Sequence, residues 1–198
     1  MLAPVPFYFL RHGETDWNRQ RIIQGQTDTP LNAIGLKQAE AVAAEVAKLS
    51  FRSICCSSLQ RARSTAEIVN RGLNKPIHFL PDLMECGLGQ IQGEPSNGAW
   101  RDPWMKGGPM PGGETYAEYT ARVIRGFAQA LTFPGPVLIV GHGGNFWALE
   151  HYGLISETRV PNCALFSLQP PRDQKLWNVK QLAAPEGQSL AIGEAAIA

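Results

Sequence analysis

Charge of one sign is what this chain most plainly lacks: 18 Lys and Arg against 17 Asp and Glu leave a net charge of +1 with histidine neutral. A nucleic-acid-binding domain would carry a basic footprint, so no nucleic-acid partner is expected and any attraction for an anion must be local. Long apolar runs are missing as well. No stretch approaches the ~20 residues that a bilayer span needs, so no membrane partner is expected either. Met1 to Leu10 is apolar, but it has no positive leading segment and runs directly into Arg11. It reads as a first strand rather than a signal peptide. Cysteine is scarce: Cys55, Cys56, Cys86 and Cys163 form no CxxC pair and no regular spacing. Reduced thiols and a cytoplasmic setting are expected from that usage. Internal repeats are absent, and 198 residues suit one domain with a substantial core.

What is present is an alternation of two periodicities. Strands are expected at Pro6 to Leu10, Ser53 to Ser57, Ile77 to Leu80, Val137 to Gly141, Ala164 to Leu168 and Trp177 to Leu182. The first, second and fourth are almost continuously apolar, as strands covered on both faces are. Between them, apolar residues recur at helical spacing: Leu36, Ala39, Ala43 and Val46; Ala62, Ala66, Val69 and Leu73; Tyr116, Tyr119, Val123, Phe127 and Leu131. Strands alternating with helices predict an α/β fold, a three-layer α/β/α sandwich around a mostly parallel sheet. A single domain is expected over 1–182. Residues 87–113, rich in Gly and Pro with Trp100 and Trp104 among them, break the rhythm and read as a lid or binding loop. The small-residue tail 183–198 is expected to be weakly ordered.

Two histidines sit where strands empty into loops, the place where open α/β sheets bind ligands. His12 lies in Arg11-His12-Gly13-Glu14-Thr15, and His142 in Gly141-His142-Gly143-Gly144. A neutral imidazole whose second nitrogen is held as a donor can attack phosphorus, which makes His12 the candidate nucleophile. Arg11 beside it offers a planar donor fork suited to phosphate. Arg61 follows the second strand near a helix start, where anions are favoured; Arg63, two positions on, should face solvent. His142 is placed to donate to charge developing on the phosphoryl group, with Gly143 letting the backbone pass close to an oxyanion. Glu85, at the entrance to the lid, is the candidate acid for the leaving oxygen, with Glu14 as its rival. His78 and His151 lack comparable neighbours and are expected to be structural.

These blocks resemble the signature of the histidine phosphatase superfamily, the phosphoglycerate-mutase-like proteins. Arg11 to Thr15 with Trp17-Asn18 matches its first block. Ser57-Ser58-Leu59 with Arg61-Ala62 and Thr65-Ala66 matches the second, and Leu83, Glu85 and Gly93-Glu94 the third. Pro111 to Thr115 matches the fourth and Gly141 to Gly144 the last. The resemblance implies a transient phosphohistidine at His12, phosphoryl contacts from Arg11, Arg61 and His142, and Glu85 acting as acid and then base. It further implies substrate contacts from Asn18, Gln24 and Gly25, with no metal and no other cofactor. One departure is Gln92, where the family often has an apolar or aromatic residue.

The family's mutases clamp a second acidic group with several basic lid residues. Between Glu85 and Glu114 this chain has only Arg101 and Lys106. Trp100, Trp104, Met105 and Met110 nearby either suit an apolar or aromatic leaving group or simply pack the lid onto the core, and hydrolysis of a small phosphorylated substrate is expected rather than mutase-type transfer. Two other readings carry their own tests. Cys55 and Arg61 have the spacing of a cysteine-dependent phosphatase, but the segment lacks the glycines that turn backbone amides toward phosphate. A non-catalytic phospho-ligand-binding module on the same fold would normally have lost the nucleophile, an arginine or the acid; all are present.

Overall fold

A computed structural model describes residues 2–171 and 175–185. Six strands form one sheet: β1 (Phe7–Arg11), β2 (Ser53–Cys56), β3 (Ile77–Phe79), β4 (Val137–Gly141), β5 (Leu165–Gln169) and β6 (Asn178–Ala183). Their order is β3-β2-β4-β1-β5-β6. The first four are parallel, and β5 turns antiparallel to β1 and β6 antiparallel to β5. Each predicted strand is found within a residue or so of its expected ends.

The helices are α1 (Asp16–Arg19), α2 (Ala33–Val46), α3 (Gln60–Val69), α4 (Arg101–Met105), α5 (Tyr116–Ala130) and α6 (Gly144–His151). Local chemistry starts several of them. Asn32 caps α2 through the Gly35 amide, and Thr115 with Glu118 makes a reciprocal capping box on α5. A second such box, Thr15 with Asn18, starts the one-turn helix α1, which hydrophobic periodicity did not reveal.

Alternation along the strands divides the core in two. Phe7, Phe9, Cys55, Ile139 and Phe166 project to the face covered by α5 and α6. Leu10, Ile54, Cys56, Leu138, Val140 and Leu165 project to the face covered by α2 and α3. The three-layer α/β/α sandwich expected from the pattern is the architecture observed. Phe9 meets Phe146 edge-on at 4.9 Å, and Phe146 meets Phe166 at 5.2 Å; truncating one such buried ring costs about 3–5 kcal/mol.

Two readings of the pattern need correction. Leu36 is exposed: α2 buries Gly35, Ala39, Val42 and Val46, a stripe rotated from the one expected, because the close approach of Gly35 to the Glu14 backbone fixes the helix on that side. The segment 87–113 is not patternless. It holds a 3-10 turn at Gly89–Ile91 and α4, and Trp104 is buried against Tyr116 and Tyr119, its indole N–H donating to the Glu114 carbonyl at 2.8 Å. From residue 186 onward the expected weakly ordered tail lies outside the described residues; 183 closes β6. Among the described residues no helix is long and apolar enough to cross a membrane.

Candidate active site

The sheet register brings the two site histidines together. Arg11 of β1 pairs with Gly141 of β4, so His12 and His142 each stand one residue past a paired strand end. The His12 amide donates to the Gly141 carbonyl at 3.0 Å, and the imidazole centroids are 5.1 Å apart. On the other side of β4, the end of β2 supplies Ser57, and α3 begins with Arg61 in its first turn. The Gly13 amide donates to Thr65 Oγ1 on α3 at 3.1 Å, which ties the loop after β1 to this helix.

Both imidazoles have one nitrogen committed. His12 Nδ1 lies 2.7 Å from the Gly13 carbonyl, an acceptor, so Nδ1 carries the proton and Nε2 keeps its lone pair. His142 Nε2 lies 2.7 Å from Ser57 Oγ. Ser57 Oγ already accepts from the Leu59 amide at 3.3 Å, so its hydroxyl proton is available for His142 Nε2, leaving Nδ1–H as the donor. Burial, followed by the fields of Arg61 and Arg11, holds His12 well below the ordinary value of 6.5. Burial and then Arg61 do the same to His142. Both rings are therefore neutral at pH 7, as a nucleophile and a neutral donor require.

The arginines are anchored by carbonyls and keep further N–H groups free. Arg11 Nη1 donates to the Val160 carbonyl at 2.6 Å; Arg61 donates through Nη1 to Thr27 and through Nη2 to Gly25, at 2.9 and 2.7 Å. Arg61 is 1% exposed, not a solvated first-turn residue, and desolvation pushes it down to about 10. It remains charged at pH 7. Arg63 is exposed as expected, its guanidinium lying over Phe79. Arg11 Nε, Arg61 Nε and His142 Nδ1 are buried and have no hydrogen-bond partner among the described residues. Buried donors without partners cost roughly 1–3 kcal/mol each, which an oxyanion in their midst would relieve.

Glu85 reaches the same cleft from the other side. Its Oε1 accepts from the Tyr119 hydroxyl and from the Cys86 amide, both at 3.0 Å, and its Oε2 accepts from the Gly144 amide at 3.3 Å. A Cβ at Gly144 would overlap both Glu85 and Tyr119, so glycine there lets the carboxylate approach the start of α6. Burial, reinforced by the Glu85 charge, raises the Tyr119 hydroxyl well above its usual 10, which keeps it a donor. Beneath the loop, Arg122 grips Glu114 through Nε and Nη2 at 2.6 and 2.7 Å and also donates to the Glu85 carbonyl. Glu14, the rival acid, turns instead toward α2, where it accepts from Asn32 Nδ2 at 2.9 Å.

The remaining expected contacts divide. Asn18, Gln24 and Gly25 line the cleft with Arg11, His12 and Arg61. Gly143 and His142 do not; the His142 ring stands 5.1 Å from that of His12, and a Cβ at Gly143 would sit 3.6 Å from the Arg11 guanidinium, so Gly143 backs that side chain. His78 stacks on Phe133 and the exposed His151 meets the Tyr116 ring edge-on; neither lines the cleft. Cys55 points into the core toward the Ala130 carbonyl, and burial pushes its thiol up to about 12, so it is an inert core residue. Sequence reasoning missed Ser57 and Tyr119 as supports of His142 and Glu85. Ser57 stood within the second matched block, whereas Tyr119 read only as a core position of α5. Among the described residues no three His, Cys, Asp or Glu side chains are grouped to hold a metal ion.

Known proteins resemble this chain over most of its length. The pattern of the histidine phosphatase superfamily (branch 1) matches residues 7–182. An uncharacterized phosphatase, PhoE, of Bacillus subtilis is 37% identical over 178 residues, covering 86% of this chain and 90% of its own. A probable phosphoglycerate mutase, GpmB, of Salmonella choleraesuis is 37% identical over 147 residues, 69% of this chain and 68% of its own. Among solved structures, a putative alpha-ribazole-5'-P phosphatase from Escherichia coli superposes with a TM-score of 0.77 at 26% identity, covering 92% of this chain and 97% of that one. A phosphoglycerate mutase from Thermus thermophilus gives 0.71 at 27% identity, covering 91% and 99%. Fold, strand-end histidines and sequence similarity over most of the length agree, and the chain belongs to the histidine phosphatase superfamily, branch 1.

Proposed function

We propose that residues 1–182 act as one metal-independent phosphomonoesterase domain with a phosphohistidine intermediate on His12. The observation that carries this reading is the set of three unpartnered buried donors, Arg11 Nε, Arg61 Nε and His142 Nδ1, around an imidazole whose Nδ1 is pinned to its own loop. Two guanidiniums and a neutral imidazole donor complement a phosphoryl dianion without a metal.

In the first step His12 Nε2 attacks phosphorus while the P–O bond to the leaving alcohol breaks, and protonated Glu85 delivers its proton to that oxygen. Glu85 then takes a proton from water, whose oxygen attacks phosphorus; the P–N bond breaks, and the electron pair returns to Nε2. Phosphate leaves and the histidine is neutral again. Asn18 and Gln24 sit at the cleft wall where they contact the bound ester. Gly25 also supplies the carbonyl that orients Arg61.

Hydrolysis is favoured over mutase chemistry by the cation count along the cleft. Among the described residues only Arg21 lines it beyond Arg11 and Arg61, and Arg101 and Lys106 do not. One exposed arginine gives a bisphosphate intermediate little to hold it during reorientation. Release of inorganic phosphate from p-nitrophenyl phosphate tests the reading. Turnover should survive a chelator, be inhibited by vanadate, and vanish in Arg61→Ala. Loss of turnover on chelation would overturn it.

A further inference from the structure

Besides the charged groups and the indoles of Trp17, Trp100 and Trp147, the cleft wall carries two primary amides, Asn18 and Gln24. A primary amide presents donors on one side and an acceptor on the other, so the way it is turned decides what it can bind. Gln24 is held by hydroxyls: its Oε1 lies 2.9 Å from Thr15 Oγ1 and 2.6 Å from Thr29 Oγ1. A hydroxyl can donate or accept, so either face of that amide would satisfy it. Asn18 is held differently, by a residue that lies beyond the last matched sequence block, Asn162.

We propose that Asn162 is a positioning residue, which turns the Asn18 amide so that its N–H groups are offered to the phosphoryl group. The proposal rests on the phosphomonoesterase reading for what those N–H groups meet, and on the hydrogen bonds around Asn162 for how they are aimed.

Two backbone groups set the orientation. The Thr15 amide donates to Asn18 Oδ1 at 3.2 Å. An N–H cannot accept, so the atom that faces it is the side-chain oxygen. At the other end, the His12 carbonyl accepts from Asn162 Nδ2 at 3.1 Å. A carbonyl cannot donate, so the atom that faces it is nitrogen. The second hydrogen of that nitrogen serves Asn18 Oδ1, at 3.3 Å. Asn18 Oδ1 thus gathers donors from Thr15 and Asn162, and Asn18 Nδ2 has no partner among the described residues. Turning Asn18 over would set its NH2 against both donors and forfeit both bonds. Asn162 itself does not line the cleft, so it acts on the phosphoryl group through Asn18.

The turn that carries Asn162 is built to hold it there. Residues 160–163 lead into β5 beside the end of β1. The Val160 carbonyl accepts from Arg11 Nη1, and the Cys163 amide donates to the Arg11 and His12 carbonyls at 3.1 and 3.2 Å. Cys163 has φ 52°, in the left-handed region that a residue with a side chain enters only under constraint. Its amide and the Asn162 side chain converge on one His12 carbonyl, so the same turn touches Arg11, His12 and Asn18. Asn162 is only partly buried, and a change there removes its bonds without opening the core.

A double-mutant cycle on oxyanion binding tests the assignment. The dissociation constant of orthovanadate is measured by calorimetry for wild type, Asn18→Ala, Asn162→Ala, Asn162→Asp and the Asn18→Ala/Asn162→Ala pair. Phosphate release from p-nitrophenyl phosphate and thermal melting are followed alongside. Loss of one charge-assisted hydrogen bond weakens binding by roughly tenfold, which is expected for Asn18→Ala. Asn162→Ala should weaken it by about three- to tenfold. In the Asn18→Ala background the same change should cost less than about twofold, because the amide it aims is gone. Asn162→Asp keeps the shape but puts an acceptor against Asn18, and should weaken binding more than Asn162→Ala does. Full multiplication of the two alanine effects, as a merely structural role would give, would overturn the assignment. So would vanadate binding unchanged in both Asn162 variants. Coupled losses in vanadate binding with no ester turned over would leave Asn162 in this role and refute the hydrolytic reading instead.

Discussion

The two ends of the cleft are built by opposite means. At the inner end, Arg11, His12, Ser57 and His142 stand on the ends of three adjacent strands, and Arg61 stands on the helix that follows one of them. His12, Arg61 and His142 are 2% exposed or less, and their spare nitrogens are aimed by backbone carbonyls or by Ser57. At the outer end, Trp17, Arg21 and Trp100 come from loops or short helices, and all are partly or fully exposed. Placement to a fraction of an ångström is available only where the sheet fixes the backbone, and the proposed nucleophile sits there. Loops held by fewer contacts can change side chains without disturbing that frame, which suits choice of leaving group.

The sharpest way to break this contrast is at the inner end. His12→Ala should lower turnover of every ester by about 10⁴-fold or more, because it removes the proposed nucleophile, the imidazole whose Nε2 keeps its lone pair. Steady-state phosphate release checks this; residual activity within tenfold of wild type would move the nucleophile elsewhere. At the junction of the two ends, Glu85→Gln should slow alkyl esters by roughly 10²- to 10⁴-fold and p-nitrophenyl phosphate far less, since a good leaving group needs little acid assistance. Equal slowing of both would show that Glu85 is not the acid. Ser57→Ala removes the hydroxyl that fixes the His142 tautomer. A loss of roughly tenfold to a hundredfold in kcat with KM little changed is expected, the usual consequence of stranding one buried partner.

Acid should discriminate the ends as well. Below the unfolded value of about 6.5 the unfolded chain binds protons at both site histidines, while burial holds the folded rings neutral. Stability is therefore fully present above 6.5 and is lost as pH falls from there through the lowered folded values. Thermal melting between pH 8 and 4.5 should show that loss, and His142→Asn should flatten it; an unchanged profile would mean that His142 is not held neutral. The smallest effect belongs to Cys55→Ser, which should leave kcat/KM within about twofold because that thiol faces the core and takes no part in the cleft.

How legible each end was in the sequence follows from the same contrast. The inner end was readable because strands advertise themselves by continuous apolar runs, and the Arg-His-Gly and Gly-His-Gly-Gly turns fall at their ends. Arg11, His12, Arg61, Glu85 and His142 were each singled out, and the structure gathers them. Supports that act through a single hydroxyl were harder to see: Tyr119 had the spacing of any core residue of α5, and nothing local marks its hydroxyl as the partner of Glu85. The outer end was read only in part. Composition drew attention to an aromatic lid, but Trp104 went into the core and Trp147 came from α6, because which face of a short segment packs inward is decided by tertiary contacts such as the Trp104 bond to Glu114. Gln92 belongs to the same class. Its Oε1 accepts from the Gln26 amide at 2.7 Å, a polar contact between the lid and the loop before α2 where the family often has an apolar or aromatic residue.

Chemical trapping of the phosphoryl group on the inner end bears most directly on the account. Single-turnover reaction with an activated phosphate ester, quenched and mapped by peptide, should give an acid-labile, alkali-stable label on His12 in wild type and none in His12→Ala. A label that persists in His12→Ala, or one with the stability of a phosphothiol, would contradict the mechanism proposed for this cleft.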